Sequence, residues 1–317
     1  AEVGNRHVCV TRPRRFGKTV MANMIGAFFG KDIDAEDVFG RLNISEIADY
    51  RKYLNQYNTI YIDFSVVDDE CSSYKEYIDA IKETLREDLR RGYPEIVFRE
   101  GGSVREDLLR IFAEKKERFI FVFDEWDSVF HMPFVTEDDK KSYLLFLKGL
   151  LKDKPYVALA YMTGILPIAK YSSGSELNMF MEYTMASESK FGNVFGFSDK
   201  EVDMLYERYC ENNAGKEETL NVTREGLREW YDGYFTKNGE RMYNPRSVVC
   251  ALRDNQLANY WTSSGTYDSI FNYIKGNIAD VRNDLVLMVA GEHVPAKMQQ
   301  YPGSSQTYPR REDSPAE

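Results

Sequence analysis

Five consecutive apolar residues, Phe119-Ile120-Phe121-Val122-Phe123, followed at once by Asp124-Glu125-Trp126-Asp127, constrain this chain more than any other feature. Side chains alternate between the two faces of a strand, so an unbroken apolar run is buried on both. That is the situation of a strand inside a parallel sheet with helices on either side. Such a sheet needs crossover helices between its strands. The sequence supplies them. Val8 to Val10, Thr59 to Phe64, Val157 to Met162 and Met179 to Met185 read as further strands. Val20–Phe29, Tyr74–Arg91, Ser103–Lys116 and Lys140–Leu151 carry apolar residues at helical spacing. The expected fold is α/β, a parallel sheet covered by helices on both faces, over residues 1–197. From about Ser198 the pattern turns helical, over Asp199–Tyr209, Thr223–Tyr231, Pro245–Asp254 and Tyr267–Ala290. Residues 198–295 therefore read as a smaller helical lid, and 296–317, rich in Ser, Pro, Arg and Gln, as a disordered or foreign tail.

The formal charge of −10 argues against a surface built throughout to hold nucleic acid, leaving room only for a local basic cleft. No apolar run reaches the roughly 20 residues of a membrane helix, and no secretory signal opens the chain. Cys9, Cys71, Cys210 and Cys250 are far apart and form no CxxC pair, so they read as reduced thiols of a cytoplasmic protein. The chain opens without Met, almost directly in an apolar strand, which points to a fragment or the product of a truncated gene. His7, His131 and His293 are isolated, with no metal-ligand spacing, and are assigned no role.

Between the first strand and the first helix lies Thr11-Arg12-Pro13-Arg14-Arg15-Phe16-Gly17-Lys18-Thr19. The end of this segment fits the phosphate-loop pattern G-x-x-x-x-G-K-[ST], with Arg12 where the first Gly belongs. A loop entering a helix N-terminus directs main-chain N–H groups and the helix dipole at one spot, which suits an anion. Gly17 lets the main chain approach, Lys18 reaches the outer phosphates, and the Thr19 hydroxyl is a magnesium ligand. Pro13 removes one donor, and Arg14 and Arg15 offset it with charge. Alone, the segment also reads as a basic turn.

Acids directly after a buried strand are costly unless they meet cations. In nucleotide hydrolases the first carboxylate at such a position holds magnesium through water and the second prepares the attacking water. Asp124 is assigned to magnesium and Glu125 to the base. Asp127 reads as a helix N-cap or a helper behind them. The spacing of the two motifs leaves a slot in the sheet for the strand ending at Thr163, whose hydroxyl either senses the terminal phosphate or caps the strand.

Val10-Thr11-Arg12-Pro13-Arg14-Arg15-Phe16-Gly17-Lys18-Thr19, Phe123-Asp124-Glu125, Tyr161-Met162-Thr163-Gly164-Ile165-Leu166-Pro167-Ile168, Trp230-Tyr231-Asp232-Gly233-Tyr234 and Tyr243-Asn244-Pro245-Arg246-Ser247-Val248 together resemble the bacterial AAA-ATPase-like family of P-loop NTPases, in the same order. The resemblance runs from about residue 6 to about residue 295. It implies ATP with magnesium, Walker A and Walker B roles for the loop and the acidic strand end, and a missing first Gly that is a family habit. Many such proteins carry a PD-(D/E)xK nuclease-like domain. No nuclease core is present here, so nucleic acid is not an expected partner. Arg246 stands where related ATPases place a lid residue facing the nucleotide, and it reads equally as a surface residue in a helix N-terminal turn. Trp230 to Tyr234 reads as lid core plus a Gly-bearing turn. The expected function is an ATP-binding, slowly hydrolysing switch, with a protein partner or self-association. The alternative is a non-hydrolysing nucleotide- or protein-binding module truncated from a nuclease-linked protein.

Overall fold

The computed structural model describes residues 6–171, 176–185, 191–215 and 220–260. The first unit runs β1 (His7–Thr11), α1 (Lys18–Phe29), α2 (Glu36–Phe39), α3 (Tyr50–Tyr53), β2 (Asn58–Asp63), α4 (Tyr74–Gly92), α5 (Val104–Lys115), β3 (Phe119–Asp124), α6 (Glu137–Leu151), β4 (Val157–Gly164) and β5 (Met181–Tyr183). Its five strands form one parallel sheet in the order β2-β3-β4-β1-β5. The strand ending at Thr163 does fill the slot between the two motif strands.

Alternation along β3 explains the layers. Phe119, Phe121 and Phe123 join Ile60, Ile62, Ala160 and Met162 in the core beneath α4, α5 and α6. Ile120 and Val122 face the other way, with Val10, Tyr161 and Ala22 of α1. Every residue of β3 is buried, as its composition demands. Helix starts are set by local chemistry. Ser103 and Thr136 build capping boxes with Glu106 and Asp139 that start α5 and α6. Under α1, Phe28, Phe39, Tyr50 and Leu54 form a small separate core, so the 31–57 stretch, which carries no long periodic run, still packs.

The second unit holds β6 (Phe197–Ser198), α7 (Asp199–Asn213), α8 (Arg224–Tyr231), β7 (Asp232–Phe235), β8 (Arg241–Tyr243) and α9 (Pro245–Asp254). The three helices match expectation, but they accompany a three-stranded antiparallel sheet, β6-β8-β7, which the sequence reading did not foresee. Trp230 to Tyr234 is accordingly the end of α8 running into β7, not a turn, with Tyr231 buried and Trp230 exposed. Val202, Leu227, Tyr231, Tyr243, Val248 and Ala251 form this unit's own core. The helix expected over Tyr267–Ala290 and the tail expected from Ala296 lie outside the described residues. Among the described residues no helix is long and apolar enough to cross a membrane.

Candidate functional site

The tips of β1, β4 and β3 meet at one edge of the sheet. Register fixes their alignment: Val10 pairs with Thr163, Thr11 with Gly164, and Met162 with Phe123. Arg12 N–H donates to the Gly164 carbonyl (3.2 Å) and Trp126 N–H to the Thr163 carbonyl (3.1 Å), so both motif loops are tied to the same strand. Since side chains repeat every second residue, Asp124 shares the α1-covered face with Val122, and Thr163 shares it with Tyr161.

Between β1 and α1, Arg15 (φ 68°) and Gly17 (φ 86°) are left-handed, a pattern that turns successive main-chain N–H groups toward one concavity. Gly17 is the N-cap of α1 and offers no side chain to the orphan N–H groups of the first turn. No acidic residue occupies that turn either. Lys18 is buried, and its Nζ donates to the loop's own carbonyls, Arg12 O (3.2 Å) and Pro13 O (3.1 Å). Burial lowers the Lys18 ammonium, against which Glu125, Asp127 and Asp124 pull it back up. The ammonium and the acidic strand end therefore converge despite their separation along the chain.

Asp124 is fully buried; burial raises its carboxyl, a hydrogen bond from the Thr19 hydroxyl opposes the rise, and Asp63 adds to it. Thr19 and Asp124, the pair expected at magnesium, thus lie side by side. Asp124 also accepts from Glu125 N–H (3.0 Å) and from the Tyr61 hydroxyl (3.4 Å). Glu125 is half-buried at φ 48°, a left-handed position that is strained for a residue with a side chain, and it accepts from the Ser128 hydroxyl (3.1 Å). Thr163 is fully buried, and its hydroxyl, like that of Tyr161 two residues before it, lacks a well-formed hydrogen bond. Tyr161 lies near enough to Thr163 for their hydroxyls to interact weakly, which leaves the Thr163 hydroxyl at the strand between phosphate loop and acidic tip able to donate to a stronger acceptor.

Asp127 is not a side-chain N-cap. Its buried carboxylate accepts instead from Ile165 N–H and Leu166 N–H (both 3.0 Å), turning the chain at the end of β4. Arg14 is exposed and its carbonyl accepts from the Asn244 side-chain amide (3.2 Å). Phe16 is buried against Tyr234 of β7, edge-on at 4.7 Å. Arg246 stands exposed on the first turn of α9, near enough to Arg15 that, after burial, its charge is the next cause lowering the Arg15 guanidinium. A cavity of about 260 Å³ opens between Arg14, Ser65, Ser128 and His131 beside this edge. Sequence reasoning passed over Asp63 and Tyr61, although Tyr61-Ile62-Asp63 repeats the β3 signal of an acid closing an apolar strand. Among the described residues no cluster of three or more His, Cys, Asp or Glu could hold a metal, so any cation here would be shared with a ligand's oxygens and water.

A five-stranded parallel sheet, with a Gly-Lys-Thr loop opening its first helix and an acidic tip two strands away, defines a P-loop NTPase. The chain belongs to the family described as Predicted AAA-ATPase, which matches residues 2–173. It is similar to an uncharacterized protein in the vnfD 5' region of Azotobacter chroococcum mcd 1, 24% identical over 276 residues, covering 82% of this chain and 48% of that protein. The chain thus spans about half the length of that relative. Among solved structures, the Aeropyrum pernix ORC2 protein in ADPNP–ADP complexes is similar at 13% identity and a TM-score of 0.35, covering 78% of this chain and 54% of that one.

Proposed function

We propose that this protein binds ATP with magnesium, hydrolyses it slowly, and works as a nucleotide-dependent switch. The observation that carries this reading is the buried Lys18 ammonium, parked on its own loop's carbonyls beside Asp124 and Glu125. A phosphate would draw the ammonium off those carbonyls, while the uncapped first turn of α1 and the main chain at Arg14, Arg15, Phe16 and Gly17 cradle the remaining oxygens. Thr19 and Asp124 would hold magnesium, which supplies charge neutralisation at the phosphates. Glu125 orients and deprotonates water, and its bond to Ser128 keeps the carboxylate in place meanwhile. The Thr163 hydroxyl senses the terminal phosphate by exchanging its weak contact with Tyr161 for a charged acceptor. Arg246 reaches in from α9 and reports loss of that phosphate.

In this reading residues 1–197 are the nucleotide-binding unit and 198–295 the lid, in a cytoplasmic protein that passes its state to a protein partner or a second copy. Magnesium-dependent phosphate release by wild type, Lys18→Ala and Glu125→Gln is the test. Lys18→Ala loses both binding and turnover, whereas Glu125→Gln keeps binding and loses turnover by about a hundredfold or more. Equal activity in all three discards the roles. Stoichiometric ATP retention without turnover in wild type would instead assign a non-hydrolysing binding module.

A further inference from the structure

Arg12 occupies the position that a glycine holds in the usual phosphate loop, yet only 1% of it is exposed. Its guanidinium is coordinated by main-chain carbonyls. Nη1 donates to Thr11 O (2.7 Å) and Tyr183 O (2.8 Å), and Nη2 donates to Phe191 O (2.7 Å). The Phe195 ring lies under the cation at 5.1 Å, and Nε has no partner. Among the described residues no carboxylate pairs with it, and burial pulls its pKa down to about 10. A buried cation held by carbonyls and a ring, without a counter-ion, is a costly way to fill space. Met or Leu would pack there without the charge.

Arg12 bridges two parts of the fold. The main chain of Arg12 belongs to the phosphate loop: its N–H is fixed to Gly164 and its carbonyl holds Lys18. Its side chain belongs to the route out of the first sheet, gripping Tyr183 at the end of β5 and Phe191 and Phe195 on the way to β6. The next residue, Gly196, is left-handed (φ 93°) and sits so close to Phe16 that an added Cβ would lie 3.0 Å from its ring and 3.0 Å from Met242 of β8. The whole connection from Phe191 to Gly196 is therefore clasped by two side chains of the phosphate loop, Arg12 and Phe16.

We infer that Arg12 is a positioning residue that transmits occupancy of the phosphate loop to the Phe191–Gly196 connection, and through it to the second sheet. The inference rests on the proposed nucleotide reading. When Lys18 leaves the Arg12 carbonyl for a phosphate, the loop shifts at Arg12 and the carbonyls of Tyr183 and Phe191 follow the guanidinium. A planar fork with fixed donors performs this task; the single ammonium of lysine does not.

Hydrogen-exchange mass spectrometry on the full chain tests it, with peptides covering 191–198 followed in wild type, Arg12→Lys and Arg12→Gln. Each is measured with and without magnesium and a non-hydrolysable ATP analogue, whose binding is followed separately by fluorescence. In wild type the analogue changes exchange over 191–198 about tenfold. In both variants, each compared at an analogue concentration that saturates it by fluorescence, that change is lost, and nucleotide-free exchange over 191–198 rises. A purely structural arginine would raise exchange equally with and without the analogue, which overturns the inference, as does a wild-type connection indifferent to bound analogue. Should Arg12→Gln not fold, Arg12→Lys decides alone. Absence of analogue binding by wild type sinks the nucleotide reading itself, and is seen in the fluorescence channel rather than in the exchange data.

Discussion

Replacing Gly164 by Ala probes the junction of all three strand tips with a single methyl group. Gly164 is buried at the end of β4, and a Cβ there would lie 2.6 Å from Asp127 Oδ1 and 2.7 Å from Trp126 Cδ1 and Nε1. Neither neighbour can retreat. Trp126 is fully buried, its main chain is held by Thr163 O and the Tyr143 hydroxyl, and the Asp127 carboxylate is fixed by two N–H donors. Overpacking of this kind costs about 1–3 kcal/mol. Displacing Asp127 far enough to relieve it weakens at least one charged hydrogen bond, worth about 1.5–3 kcal/mol. The sum is a loss of about 2.5–6 kcal/mol, a fall in Tm of roughly 4–9 °C for a chain of 317 residues at about 2.1 cal/mol/K of unfolding entropy per residue. Urea denaturation followed by tryptophan fluorescence measures it, and the same sample should lose most of its stabilisation by ATP and magnesium, because Thr163 moves with its neighbour. A variant within about 0.5 kcal/mol of wild type would refute the rigid junction.

Asp124→Asn should stabilise the nucleotide-free protein. Burial lifts the Asp124 carboxyl above its ordinary value, so the native state holds the proton more tightly than the unfolded chain, and the charge costs stability at neutral pH. That cost fades as pH falls through the folded value, so the Tm advantage of the variant at pH 7 should shrink toward pH 4; a pH-independent difference, or a lower Tm, contradicts it. The same variant should lose magnesium-dependent stabilisation by ATP in a thermal melt. Arg246→Ala, an exposed change, should leave nucleotide-free stability within about 0.5 kcal/mol while slowing phosphate release by tenfold or more, and undiminished release would remove Arg246 from the site.

The parts of this molecule that were readable in sequence are those where one local pattern leaves one solution. Phe119 to Phe123 can only be a strand buried on both sides, and a loop carrying Gly17, Lys18 and Thr19 between an apolar strand and an apolar helix specifies its own neighbourhood. The antiparallel sheet of the second unit was invisible because its strands have two to four residues, too few for alternation to register. Asp127 was misread for a different reason. An acid ahead of a helical turn has a local explanation, whereas its actual donors, Ile165 and Leu166, lie a whole helix and strand further along the chain. Arg12 illustrates the same limit: its partners Tyr183 and Phe191 are set by which strand flanks β1, and strand order is a property of the sheet.

Costs in this fold are distributed unevenly, and the distribution carries the functional argument. The sheet interior is apolar on both faces, and Phe119 to Phe123 of β3 are buried without a polar side chain among them. At the strand tips, within a few residues, stand an ammonium lowered by burial, a carboxyl raised by burial, a left-handed Glu125, a buried Thr163 hydroxyl without a well-formed bond, and an arginine held by carbonyls and the Phe195 ring with no carboxylate among the described residues. Each is unfavourable in isolation. They are not, however, independent. An anion arriving at α1 would satisfy Lys18 and Thr163, and a cation between that anion and Asp124 would satisfy the carboxylate. On the proposed reading the ammonium would meet the phosphate and the carboxylate its counter-ion, and relief of one side would improve the field for the other.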